Sequence, residues 1–199
     1  MAPSRGGLAP LLGQGMIIGD IVSIQRHMAK SDSFFIRAQV TYGNDNAYAQ
    51  TAIDLGSFVN LGVKSSTLLR IHRLSPQFFD AEGTFIPRAT GASKYANCAW
   101  QLTTQSQTAI VEADDKSVIS AGGLLSCTDA SQIIQEQDAT TSPNVEEWTN
   151  GYLVGVDELY LGIDGNSDWV SGFNLNVVLE CTLETATQAS ATALALSQQ

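Results

Sequence analysis

The sequence predicts an all-β protein, an antiparallel β-sandwich or single jelly roll of about eight strands with flexible termini. Apolar and polar residues alternate along several short segments, and one segment alone has helical character. The chain has 199 residues, of which 44% are hydrophobic and 15% charged, so it can bury one sizeable core. We therefore expect a single folded domain rather than a disordered or multidomain chain.

The predicted strands follow one another from residue 16 onwards. An irregular strand over 16–28 precedes a clean one over 34–42, where Phe34 and Ile36 alternate with Phe35 and Arg37, and a turn follows at 43–46. The last strand is the strongest, because residues 173–184 alternate over their whole length. The strands between these cover residues 52–59, 67–74, 99–104, 108–113 and 152–163.

Three segments between the strands need their own interpretation. Residues 129–138 are the one candidate helix, opened by an acceptor side chain at Thr128 or Asp129, with a loop as the alternative. Residues 138–150 are polar and predict a surface excursion. Residues 164–168 begin like a calcium loop, but Trp169 and Leu175 occupy the positions that need Gly and Glu, so a tight hairpin turn is favoured.

Both ends of the chain differ from this pattern, which divides it into an N-terminal arm (1–14), a β-sandwich domain (15–185) and a low-complexity C-terminal tail (186–199). The arm and the tail lack a regular apolar period. They nevertheless carry leucines that a free coil would gain little by keeping. We expect these leucines to dock on neighbouring subunits: Leu8, Leu11, Leu12, Leu194 and Leu196.

No set of residues predicts catalysis. The chain has two histidines, and His72 alternates with apolar residues as a surface strand residue would. The three cysteines are widely spaced and suit small buried thiols. The doublets 114–115 and 146–147 suit a turn and a loop rather than an acid–base pair. We expect no enzyme activity, no cofactor and no metal.

The tryptophans differ in their surroundings. Trp100 lies in an apolar strand and is predicted to be core, whereas Trp148 lies in a polar segment and is predicted to be a contact residue. No apolar run is long enough to span a membrane, and the N-terminal residues make a poor signal peptide. The sequence thus predicts synthesis and retention in a cytoplasm until assembly.

Charge is distributed unevenly along the chain, whose formal net charge is −10. Residues 1–94 hold 9 Lys and Arg against 6 Asp and Glu, while residues 95–199 hold 1 against 14. This asymmetry predicts a mildly basic face opposite an acidic one, and chance segregation on a solvated surface is the alternative.

The segments 100–104 (WQLTT), 151–164 (GYLVGVDELYLGID) and the long closing strand together resemble single jelly-roll capsid proteins of icosahedral viruses, of the archaeal or marine double-stranded DNA type. The resemblance implies a self-assembling shell subunit in a virion assembled in the host cytoplasm, with copies of itself as partners. A second shell protein and an internal membrane or protein layer are further candidate partners. Arg5 alone does not make a basic arm, so direct sequence-specific binding of nucleic acid is not expected.

Two other classes of function stay open at this level. A carbohydrate- or ligand-binding β-sandwich would use Trp148 and the polar segment around it as a shallow platform. An extracellular filament or surface-layer subunit would assemble by strand exchange and would need an export signal.

Overall fold

A computed structural model describes residues 32–62, 65–83 and 87–199, and only the backbone of 135–137. The N-terminal arm and the strand expected over 16–28 lie outside these residues. Within them, the chain forms nine strands, one 3-10 turn and one α-helix. No helix among these described residues is long and apolar enough to cross a membrane. In chain order the elements are β1 (Phe34–Tyr42), β2 (Ala49–Asp54), β3 (Ser66–Asp80), β4 (Tyr95–Thr103), β5 (Val118–Thr128), β6 (Ile134–Thr141), the 3-10 turn (Val145–Glu147), β7 (Tyr152–Val154), β8 (Glu158–Gly165), β9 (Phe173–Ala186) and α1 (Gln188–Ser197).

The strands form two antiparallel sheets, sheet A in the order β1-β9-β3-β7 and sheet B in the order β2-β8-β4-β5-β6. Their pairings are nested along the chain: β1 with β9, β2 with β8, β3 with β7 and β4 with β5. Successive nested pairs alternate between the two sheets. This is the topology of a long hairpin rolled into a sandwich, which is a jelly roll, with β6 added at one edge. The predicted fold class is confirmed.

The core lies between the sheets and is filled by the inward-facing residues of the strands. Trp100, Trp169, Tyr42 and Phe173 are its largest fully buried side chains, so the assignment of Trp100 to the core is confirmed. Phe173 packs at 4.9 Å from Trp169 and 5.3 Å from Tyr42, measured between ring centroids. The indole of Trp100 needs the glycine at position 122 of β5, because a Cβ there would lie 2.7 Å from its Nε1.

Strand β3 is longer than the strand predicted over 67–74. It can continue because a β-bulge keeps the apolar side chains of both halves on the side that faces the core. The register with β9 shifts between Ile71 and Arg73, so His72 and Arg73 both lie on the outer face and Leu74 returns to the core. His72 is half-buried, with its Nε2 2.9 Å from the Thr182 hydroxyl, which confirms it as a strand residue.

The helix predicted over 129–138 does not form. Asp129 instead closes a turn, in which its carboxylate accepts hydrogen bonds from the backbone N–H groups of Ser131 (2.7 Å) and Ile133 (2.9 Å). Gln132 has a φ of 65°, a left-handed conformation that ends any helix. The following residues then pair with β5 as strand β6, because an unpaired edge of sheet B is available to them.

Three further sequence expectations are corrected by the segments that connect the strands. Residues 152–163 form two strands rather than one, since 155–157 cross from sheet A to sheet B. Residues 164–168 are not a hairpin turn, because β8 and β9 belong to different sheets. Residues 108–113 form no strand: the backbone N–H of Val111 and the carbonyl of Ala109 bond to the buried side chain of Gln101 instead.

Two arginine–glutamate pairs on β3 allow a direct comparison of buried and exposed charge. Arg70 pairs with Glu184 of β9 through two hydrogen bonds of 2.6 and 2.7 Å, and these raise the pKa of Arg70. The side chains in this pair are 16% and 6% exposed. Arg73 pairs with Glu146 at 3.0 Å, with side chains 63% and 37% exposed.

We expect Glu184→Gln to lower the free energy of unfolding by about 3 kcal/mol, because it leaves the nearly buried Arg70 without its counter-charge. Glu146→Gln is the matched control and should change it by less than about 0.5 kcal/mol. Urea unfolding of both variants measures the difference. Equal effects would show that burial does not strengthen the Arg70–Glu184 pair.

Candidate assembly surfaces

The residues predicted to contact neighbouring subunits lie in different surroundings in the structure. Leu8, Leu11 and Leu12 lie outside the described residues. Trp148 follows the 3-10 turn and is 39% exposed, with its ring 5.5 Å from that of Tyr152. It packs partly against its own chain, and its role as a contact residue stays a prediction.

The C-terminal tail is more ordered than the sequence predicts. Thr187 caps helix α1, and its hydroxyl accepts a hydrogen bond from the backbone N–H of Ser190. Ala191 and Ala195 are buried against the domain, since their small side chains let the helix approach closely. Residues 188–197 are therefore an ordered helix rather than a loose coil, and docking of the tail on a neighbour stays a prediction. Sequence reasoning treated the Ala-rich composition as low complexity, although alanine is the best helix former.

Gln198 fastens the tail to the edge of sheet A. Its amide nitrogen donates to the carbonyl of Leu153 (2.7 Å), and its amide oxygen accepts from the backbone N–H of Gly155 (2.9 Å). Its own carbonyl accepts a hydrogen bond of 2.6 Å from the Thr104 hydroxyl at the end of β4. Gln198 thus satisfies the edge strand β7 as a neighbouring strand would, and helix α1 spans from sheet A to sheet B.

The two tail leucines predicted to dock on neighbours differ in exposure. Leu194 is half-buried, and a Cβ added to Gly155 would lie 3.1 Å from its Cδ2, so it packs on its own domain. Leu196 is 66% exposed on the outer side of the helix. Of the pair, Leu196 is the side chain that remains available to a partner.

A group of exposed apolar side chains lies at the opposite end of the sandwich from α1. Tyr95 begins β4, Ile133 and Ile134 lie at the start of β6, and Val170 lies in the connection between β8 and β9. Tyr95, Ile133 and Val170 are each at least half exposed. We call this group the apolar end. Exposed apolar side chains on neighbouring segments are candidates for an interaction site.

The segments of the apolar end are tied to one another. The backbone N–H of Ser93 donates to the carbonyl of Asp129 at 2.9 Å, which joins the start of β4 to the turn before β6. Lys94 forms an ion pair with Asp168 at 2.9 Å, which joins the same strand to the β8–β9 connection. These bonds hold the apolar side chains on neighbouring segments. Sequence analysis missed the group because its members are far apart in the chain and share no period.

The two sheets differ in charge, in partial agreement with the predicted polarity. The strands of sheet B contain no Lys or Arg and five acidic residues: Asp54, Glu136, Asp138, Glu158 and Asp164. The strands of sheet A balance three arginines against three acidic residues: Arg37, Arg70 and Arg73, and Asp80, Glu180 and Glu184. The acidic face is present, whereas the face opposite is neutral rather than basic.

The cysteines behave as small apolar residues. Cys98 and Cys181 are buried, and burial raises the pKa of each thiol to about 12. Both are therefore protonated and poor nucleophiles near neutral pH. Cys127 is partly exposed.

No family model matches the chain, and no curated protein matches it. Among solved structures, the VP1 protein of human polyomavirus 12 in complex with 3'-sialyllactosamine is similar with a TM-score of 0.46 and 7% identity, over 78% of this chain and 99% of the other. The VP1 protein of Trichodysplasia spinulosa-associated polyomavirus, in complex with sialylated glycooligomers, has a TM-score of 0.46 and 8% identity, over 77% and 94%. A structure of Desmodium yellow mottle tymovirus is similar with a TM-score of 0.31 and 10% identity, over 94% of this chain and 95% of the other. These neighbours are viral capsid proteins with jelly-roll folds, and a likeness at this level says nothing of function.

We expect Gln198→Ala to lower the free energy of unfolding by about 2 kcal/mol, because it leaves two backbone groups, the carbonyl of Leu153 in β7 and the N–H of Gly155 just after it, without partners. Gln188→Ala, at the exposed start of the same helix, is the control and should have no measurable effect. Thermal unfolding of both variants tests this. An unchanged Gln198→Ala variant would show that the tail is not part of the stable domain.

Proposed function

We propose that the chain is a structural subunit that assembles with copies of itself into a closed shell, in the manner of a viral major capsid protein. The observation that carries the proposal is the apolar end, where Tyr95, Ile133 and Val170 are exposed together on tied segments. In a monomer these side chains stay in contact with water. A neighbouring copy that covers them contributes about 25 cal/mol of stabilisation per Å² of apolar surface buried.

The edges and the charge of the sandwich favour contacts at its ends. Gln198 occupies the edge of β7, so strand addition at this side of sheet A is blocked. Asp54 and Glu158 lie directly opposite each other across β2 and β8, and like-charged sheet B faces of two copies repel. Salt screens this repulsion, so we propose that assembly strengthens as ionic strength rises.

The finer parts of the proposal follow from the shell. The chain would reside in a virion assembled in a host cytoplasm, with a second shell protein or an internal membrane or protein layer as further partners. The archaeal or marine virus type stays a prediction of the sequence resemblance. The carbohydrate- or ligand-binding module centred on Trp148 and the filament or surface-layer subunit remain alternatives to the shell. Loss of glycan binding in Trp148→Ala would favour the carbohydrate-binding module.

We expect the triple variant Tyr95→Ser, Ile133→Ser, Val170→Ser to raise the protein concentration needed for assembly by at least about tenfold, since each lost apolar contact contributes about 1 kcal/mol or more. Analytical ultracentrifugation across a concentration series measures this. Phe35→Ser is the matched control, because Phe35 is equally exposed but lies on the outer face of sheet A. Wild-type protein that stays monomeric at every concentration and salt would contradict the proposal itself.

We also expect deletion of residues 1–14 to weaken assembly while the thermal unfolding midpoint stays unchanged, because Leu8, Leu11 and Leu12 are proposed to dock on neighbours. Light scattering and differential scanning fluorimetry on the same samples separate the two effects. A variant with Leu8, Leu11 and Leu12 replaced by Ser in the full-length chain is the control for arm length. Normal assembly of both variants would show that the arm is passive.

A further inference from the structure

A shallow groove crosses the outer face of sheet B and adjoins the apolar end, because Asn166 in its lining donates a hydrogen bond of 2.7 Å to the carbonyl of Tyr95. It lies between the β4–β5 loop (residues 104–117), the turn between β1 and β2, and the end of β8. Its lining includes Asn46, Asn97, Ala99, Ile110 and Asp164.

The floor of the groove is formed by β4 and β8, where a small side chain lies beside a carboxylate. Ala99 of β4 lies directly opposite Asp164 of β8, so both side chains point outward from the same position of the sheet. The alanine leaves space beside the carboxylate. Asn97 lies two residues before Ala99 and therefore on the same outer face.

One wall of the groove is held by the buried hydroxyl of Tyr42. This hydroxyl donates to the carbonyl of Gly165 at 2.5 Å and accepts from the backbone N–H of Asn46 at 3.2 Å. Since Tyr42 is fully buried, the β1–β2 turn is attached to the end of β8 by a bond that water cannot readily replace.

The opposite wall is held by Gln101, whose side chain is also fully buried. Its amide oxygen accepts from the backbone N–H of Val111 at 2.9 Å, and its amide nitrogen donates to the carbonyl of Ala109 at 3.1 Å. Ile110 lies between these two residues, so its apolar side chain is fixed over the groove. A preformed site of this kind loses little conformational entropy when a ligand binds.

Three polar side chains in the groove keep unused hydrogen-bonding capacity. Among the described residues, the side-chain amides of Asn46 and Asn97 bond to nothing, and Asp164 uses one carboxylate oxygen for the N–H of Gly165 at 2.8 Å. Two amides supply both donors and acceptors, and the remaining carboxylate oxygen supplies an acceptor. This set suits a ligand with several neighbouring hydroxyl groups, whose C–H face can rest on Ile110 and Ala99.

Other ligand classes fit less well. One carboxylate is too few for a calcium site, which takes six to eight oxygen ligands. Sheet B carries acidic residues and no cation in its strands, so a nucleic acid or another anion would be repelled. We propose that the groove binds a neutral sugar through Asn46, Asn97 and Asp164. A shell protein with this site would attach to glycans through its outer sheet B face.

The test is saturation-transfer NMR on the full-length protein with methyl glucoside, methyl galactoside and methyl mannoside as probes. Because the method observes the ligand, it works on the subunit and on its assemblies alike. We expect at least one probe to bind in the wild type. In Asp164→Asn and Asn97→Ala the affinity should fall by about tenfold or more, since each variant removes a directed hydrogen bond to a hydroxyl group.

The matched control is Asp138→Asn, which removes an exposed carboxylate from edge strand β6 of the same sheet, outside the groove. It should bind like the wild type, and thermal unfolding should confirm that all three variants are folded. Absence of binding by every probe would overturn the proposal, and so would undiminished binding in Asp164→Asn and Asn97→Ala. Competition of calcium chloride with the sugar would identify a cation site and would equally overturn it.

Discussion

Strand β9 is the constraint on which the rest of the fold depends. It pairs with β3 over its whole length and with β1 over residues 173–181. Without it, β1 would share no ladder with the β3–β7 pair. Its inward face, from Phe173 to Cys181, is fully buried and supplies the central row of the core. The bulge at His72 is a consequence, because β3 must follow β9 while keeping Leu74 inside.

The two ends of the sandwich are finished in different ways. At one end helix α1 crosses between the sheets and Gln198 satisfies the edge of β7, so backbone groups that would otherwise face water are paired. At the other end Tyr95, Ile133 and Val170 remain exposed. The two ends of the sandwich therefore differ in polarity, and the apolar one is the end at which the proposed assembly would place its contacts.

The polar side chains that organise the surface are themselves buried. Gln101 lies on the outer face of sheet B, yet the β4–β5 loop covers it because its amide satisfies two backbone groups of that loop. The Tyr42 hydroxyl does the same for the β1–β2 turn. These tertiary hydrogen bonds add to the bonds within the turns themselves, such as that from the backbone N–H of Ala47 to the Asp45 carboxylate, and together they preform the groove.

Alternation alone determined much of this protein, since burying one face of a pleated strand imposes a period of two, as 34–42 and 173–184 display. The fold class, the core position of Trp100 and the long last strand follow from that period. Whatever depends on pairing between distant segments was decided by the tertiary structure. The residues of β6 became a strand because an edge of β5 was free, and those of 108–113 became a loop because Gln101 bonded their backbone. The alanine-rich tail became a packed helix because the open end of the sandwich accepts small side chains. The apolar end and the groove join residues whose proximity exists only after the chain has rolled up.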